Sequence, residues 1–124
     1  MSDALLAMSA RLLRDGDAAA AGDAAEVATL AAPEDARAWL LFGACAARRG
    51  MLERAVVAFR QACTLAPSQV ESWLMLGEAS LDLGDLAAGA RALERAMTLD
   101  PRAEHPAGRR ARALVARALA QLGG

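Results

Sequence analysis

The chain contains no tyrosine and no lysine, one histidine and two cysteines among its 124 residues, and each scarcity removes a class of function. With His105 as the only imidazole, neither a Ser-His-Asp nor a Cys-His arrangement can be assembled. Cys45 and Cys63 stand 18 residues apart with no Cys-x-x-Cys pair, so neither a disulfide framework nor a zinc site is expected, and both read as buried free thiols. Asp15, Asp17, Asp82 and Asp85 flank glycines, where turn formation and solvation account for them. No spacing brings paired carboxylates into one pocket for acid–base work. The ten glycines are dispersed, so no phosphate-binding loop is present. No catalytic, cofactor-binding or metal-binding residue is therefore assigned, and no enzyme is expected.

Long apolar runs are missing as well. No window approaches the ~18 uncharged apolar residues of a membrane-spanning helix. The opening residues, Met1 to Leu6, lack a basic segment followed by an apolar stretch, so no secretory signal is expected and a cytoplasmic protein without membrane contact is the default. Aromatic residues number only four: Trp39, Phe42, Phe59 and Trp73. A nucleic-acid role would rest on Arg109, Arg110, Arg112 and Arg117 alone, whereas single-strand binders also stack bases on exposed aromatics. The four aromatics here belong to a repeated framework, so no nucleic acid is expected as a partner.

What the chain has instead is alanine, 34 times, and a period. Pro33, Pro67 and Pro101 are spaced by 34 residues, and Gly16, Gly50 and Gly84 keep the same interval. Self-similarity of that length marks stacked helix-turn-helix units, each burying its apolar face on its neighbours. Residues 36–69 and 70–103 align without a gap: Trp39 with Trp73, Phe42 with Leu76, Gly43 with Gly77, Phe59 with Leu93, and Ala62 with Ala96. Residues 2–35 fit more loosely, with Leu5, Met8, Ser9, Leu12, Ala21, Ala25 and Ala28 in the same places.

The physical roles follow from residue type. Gly43 and Gly77 admit a close helix while Trp39 and Trp73 supply bulk on the adjoining turn, and Gly50 and Gly84 end helices at positive φ. Pro67 and Pro101 punctuate the junctions. Helices are predicted near 2–15, 18–31, 36–49, 52–65, 70–83 and 86–99. A seventh is predicted over about 105–122, with Pro106 in its first turn and Ala107, Ala111, Leu114, Val115, Ala118, Leu119 and Leu122 forming one covering stripe. Arg110 falls where a further repeat would carry a large apolar residue, so this helix reads as a cap over the last repeat.

The chain resembles the tetratricopeptide repeat family. Trp39, Phe42, Gly43, Ala55, Phe59 and Pro67 meet its pattern in the second repeat, while Ala46 and Ser80 stand in for the usual tyrosine and Gly89 for the small alanine of the second helix. Ala25 replaces the usual phenylalanine in the first repeat, which predicts looser packing there. The resemblance implies an all-α fold: one domain over 1–124, a right-handed superhelix of three repeats (2–35, 36–69, 70–103) closed by the terminal helix.

It also implies that the first helix of each repeat lines a concave groove holding a protein partner. Carried over by position, the groove comprises Leu6, Ala10, Leu13, Arg37, Leu40, Ala44, Arg48, Glu71, Leu74, Glu78 and Leu81, with Asp3, Ala47, Arg112 and Val115 as further candidates. The leucines serve equally well as core between adjacent repeats, and the sequence leaves both readings open. The charged clamp by which some family members grip a chaperone carboxylate is replaced by Leu6, Ala10, Leu41, Glu71 and Met75. An amphipathic helix or extended apolar segment is the implied ligand. By size and apolar groove the chain also resembles the small repeat-containing chaperones of bacterial type III secretion. The alternative is a self-assembling scaffold. Residues 1–35 carry seven acids against Arg11 and Arg14, and residues 100–124 carry five arginines against Asp100 and Glu104, a gradient that suits orienting a partner or head-to-tail contacts and that solvated helix faces explain equally well.

Overall fold

A computed structural model describes residues 2–123, all of it helix and short connections. The seven helices are α1 (Ser2–Arg14), α2 (Ala18–Ala31), α3 (Ala36–Arg48), α4 (Leu52–Leu65), α5 (Val70–Leu83), α6 (Leu86–Leu99) and α7 (Pro106–Gly123), each within one residue of its predicted bounds. The turns inside the three hairpins close as the glycines require, with φ of 88° at Gly16, 74° at Gly50 and 93° at Gly84. Aspartates start the helices that follow two of them. Asp17 accepts from the Ala20 amide at 3.0 Å and Asp85 from Ala88 at 3.1 Å, satisfying amides that a helix start leaves unpaired. Met51, at the equivalent position before α4, makes no such bond.

The contacts divide the described chain into two compact units, between Pro67 and Ser68. In the first, α1 pairs with α2, α3 packs on both, and α4 pairs with α3. Leu6, Ala28 and Ala38 are buried together, with Leu5 and Leu41 packed against them. Gly43 lets α3 approach α4, since a Cβ built there would lie 2.5 Å from the Phe59 ring. The first repeat solves the same problem with two small residues. Ser9 and Ala25 occupy the positions of Gly43 and Phe59, both are fully buried, and the Ser9 hydroxyl donates to the Ala21 carbonyl at 2.7 Å. Here small side chains on both helices replace a small one facing a large one.

The second unit is built from α5, α6 and α7. Leu74, Leu93, Ala96, Ala107 and Ala111 form its core, with Val70, Trp73, Leu81, Met97, Leu114 and Val115 packed around them. Here two glycines face each other. A Cβ on Gly77 would meet Leu93 at 2.6 Å, and one on Gly89 would meet Leu81 at 2.6 Å, so α5 and α6 cross at their closest where neither has a side chain.

The junction into α7 departs from the period. Asp35 and Gln69 precede α3 and α5 with extended backbone, at φ −90° and −86°, whereas Ala103, their equivalent, is left-handed at φ 54°. That conformation is unfavourable for alanine, and the Arg109 guanidinium holds it by donating to the carbonyls of Ala103 and Glu104. α7 covers α5 and α6 with its first half, where Ala107 and Ala111 enter the core. Its second half does not complete the predicted stripe: Val115 and Ala118 are half-buried, Leu119 is exposed, and the Leu122 side chain lies outside the described residues. Among the described residues, no helix is long and apolar enough to cross a membrane.

Candidate functional site

The predicted partner-binding positions lie on the first helix of each hairpin, and their exposure sorts them. In the first unit Leu6 is buried in the core, Ala10, Leu13, Leu40 and Ala44 are half-buried, and Arg37 and Arg48 are exposed. In the second, Leu74 is buried in the core, Glu78 and Leu81 are half-buried, and Glu71 is exposed. Little of Leu6 and Leu74 is left for a ligand to touch. Of the α7 candidates, Val115 packs on the core and Arg112 is held locally, donating to the Asp100 carbonyl at 2.6 Å and the Met97 carbonyl at 3.3 Å.

Two of the predicted polar contacts are already engaged. Arg37 Nη2 lies 2.9 Å from Asp3 and 2.8 Å from Asp35, and its Nε donates to Asp35 at 3.1 Å. The hydrogen bond from Arg37 holds the Asp35 carboxyl below its usual range, and Asp35, followed by Asp3, pushes the guanidinium further up. Glu78 faces Arg110 of α7 at 3.6 Å. Arg110 was recognisable in the sequence as misplaced for a fourth repeat; its carboxylate partner on α5 was not.

Several contacts had no sequence signal beyond residue type. Trp39 Nε1 donates to the Pro33 carbonyl at 2.8 Å, which ties α3 to the loop before it. Arg54 sits 5.6 Å from the Phe42 ring centre, and Arg95 5.9 Å from that of Trp73. Phe59 is fully buried, whereas Trp39 and Phe42 are half-buried and line, with Arg54 and Val57, an open cavity of about 240 Å³.

Asp100 is the most connected of the unforeseen residues. It is buried at the end of α6, accepts from the Glu104 and His105 amides at 3.0 Å each, and sits over Gly108, where any Cβ would collide with its carboxylate. Removal from water opposes its ionisation, yet the two amides, aided by Arg112, outweigh this and hold the carboxyl below its usual range. His105 itself is exposed, with Nδ1 accepting from the Ala107 amide at the start of α7. Cys45 and Cys63 are buried and free. Burial pushes both thiols up, Cys63 to about 12, which keeps them protonated and inert. Among the described residues, no group of three His, Cys, Asp or Glu side chains is arranged to hold a metal ion.

Helical hairpins with glycine turns, close crossings at Gly43 and at Gly77 with Gly89, and proline-marked junctions are one architecture repeated. Family patterns for the tetratricopeptide repeat match residues 36–79 and 70–102. The chain belongs to the tetratricopeptide repeat family. No curated protein matches this repeat protein in sequence. Among solved structures, its fold is similar to that of the Yersinia enterocolitica type III secretion translocator chaperone SycD, at 17% identity over 98% of this chain and 86% of that one, with a TM-score of 0.90. PcrH, solved in complex with the chaperone binding region of PopD, is similar at 22% identity over 96% and 91%, with a TM-score of 0.89. The Sgt2 TPR domain from Aspergillus fumigatus is similar at 20% identity over 98% and 81%, with a TM-score of 0.88. SycD is a translocator chaperone, PcrH holds the chaperone binding region of PopD, and the third is a TPR domain from Aspergillus fumigatus, so the likeness carries the fold across unlike settings.

Proposed function

We propose that this tetratricopeptide repeat protein is a non-enzymatic binding module that holds an amphipathic helix or an extended apolar segment of another protein. In each unit the contacts are first-helix residues: Ala10, Leu13, Leu40, Ala44, Arg37 and Arg48 on α1 and α3 of the first, and Glu71, Glu78 and Leu81 on α5 of the second. The observation that carries this reading is the half-exposure of Leu13 and Leu40, which leaves apolar surface at ligand-facing positions of the family after the core has taken Leu6. An interface of standard size would bury ~800 Å² on each partner.

More specifically, we infer a cytoplasmic chaperone of a secretion component. Supporting it are the similarity to SycD over nearly the whole chain and to PcrH, whose structure holds the chaperone binding region of PopD. Leu40→Asp is the discriminating variant, because Leu40 is only half-buried whereas Leu74→Asp would place a charge in the core of the second unit. A partner recovered from host cells with the wild-type chain and lost with a Leu40→Asp chain of unchanged helicity supports the assignment. Equal recovery by both rules it out.

A further inference from the structure

Between α5, α6 and α7 the second unit has an apolar groove. Leu81 of α5, Leu86 and Ala90 of α6, and Val115, Ala118 and Leu119 of α7 line a cavity of about 250 Å³. Leu86 and Leu119 are 60% and 62% exposed. The volume falls below the ~300–1,000 Å³ usual for small-molecule pockets, so it suits side chains of a docked helix better than a free ligand. No charged residue lines the cavity, but two of the helices that carry its lining are basic. α6 and α7 carry Arg91, Arg95, Arg109, Arg110, Arg112 and Arg117 against Glu94 alone. Arg109, Arg110 and Arg112 are engaged with nearby carbonyls or with Glu78, while Arg117, next to Ala118 of the lining, is exposed.

The first unit offers the complementary surface. Residues 15–35 contain six acids and no basic residue. Within them, α2 exposes Asp23, Glu26, Val27 and Leu30, spaced by three and four residues along one face, and Leu30 at 77% is the most exposed large apolar side chain described. Ala19 and Ala31 are exposed on the same helix, which keeps it slim enough to enter a groove.

We propose that α2 of one copy docks into the α6–α7 groove of a second copy. Leu30 and Val27 fill the cavity, and Asp23 and Glu26 face the arginines of α6 and α7. Pairing two α6–α7 grooves with each other would instead set arginine against arginine. Because the mating surfaces differ, each copy keeps one of each, and the contact propagates into a chain or closes as a ring. The groove shares Leu81 with the first-helix positions, but neither Leu30 nor Leu119 is one of them, so variants at those two sites test self-association without altering the peptide contacts proposed above.

Sedimentation of the full chain over a dilution series tests it. The wild-type mass should rise above the 12.8 kDa monomer with concentration and fall back at high salt. Leu30→Asp and Leu119→Asp, both at exposed sites, should each be monomeric with wild-type circular dichroism. Mixed in equal amounts they should form a species of twice the monomer mass and nothing larger, since the Leu30→Asp copy keeps an intact groove and the Leu119→Asp copy an intact α2. A wild-type chain that stays at 12.8 kDa throughout overturns the proposal. So does a single variant that still self-associates, or a mixture that does not combine.

Discussion

Arg37 and Asp3 occupy the same position in successive repeats, and they meet across α3 and α1 with Nη2 2.9 Å from Oδ1. One repeat interval in sequence thus becomes one ion pair in space. Arg37 and Asp3 are 66% and 84% exposed, a setting in which ion pairs contribute little to stability and are screened by salt. Their consequence is orientation: Arg37 is held by Asp3 and by Asp35, the residue that caps α3 through the Arg37 amide.

Arg37→Ala is therefore expected to leave the urea midpoint close to wild type. Arg37→Glu, which sets three carboxylates together, should lower the midpoint at low salt and recover most of the loss near ~1 M salt, where the Debye length is about 3 Å. A deficit that persists unchanged in high salt would mean that Arg37 acts through packing.

Helix crossings give the largest expected effects. Gly43→Ala places a methyl group 2.5 Å from the Phe59 ring, and overpacking of that kind costs about 1–3 kcal/mol. Gly22→Ala is the contrasting change in the same unit. Its Cβ would meet Cys45 at an ordinary 3.6 Å, so removing a helix-interior glycine should stabilise by roughly 0.5–1 kcal/mol. Chemical denaturation of the two variants should move in opposite directions, and a destabilised Gly22→Ala would show that the helices cannot accommodate even that contact.

These two glycines also show what the sequence made legible. The 34-residue interval located α1 to α6 within one residue because positive φ at Gly16, Gly50 and Gly84 is a local demand that a residue type announces, and α7 was placed by Pro106 and its apolar stripe. Gly43 was readable as a close approach because Gly77 repeats it, but the bulk expected beside it was Trp39, and the ring that meets it is Phe59. Ser9 against Ala25 was not readable, because a hydroxyl bonding a carbonyl twelve residues away leaves no periodic trace. The candidate site was legible only as positions. Which leucines remain exposed depends on how α1, α2 and α3 close over Leu6, and the exposure of Leu119 on α7 was not legible in the stripe that placed it there.

Asp100 makes that junction sensitive to pH. Its carboxyl is held below the ordinary 3.8 in the folded chain, so the stability it contributes is present above that value and is lost as pH falls through the lowered one. Asp100→Asn turns an amide donor toward either Glu104 or His105 and should destabilise the chain at neutral pH. The gap between variant and wild type should narrow on acidification below 3.8, measured as thermal midpoints across a pH series. A gap constant from neutral to acid would remove the carboxylate from the account.

Ser80 supplies the remaining prediction. Its hydroxyl is buried at the end of α5 and is the one buried side-chain polar atom without a hydrogen-bond partner among the described residues. A buried hydroxyl with no partner loses its hydration without compensation, at about 1–3 kcal/mol. The equivalent position in the preceding repeat is Ala46, also buried, so the fold accepts a methyl group at this point. Ser80→Ala should therefore stabilise the chain by about 1 kcal/mol, raising the denaturation midpoint with no change in slope. A lower midpoint would show that the hydroxyl is bonded in solution, with a bridging water as the partner to look for in a high-resolution crystal structure.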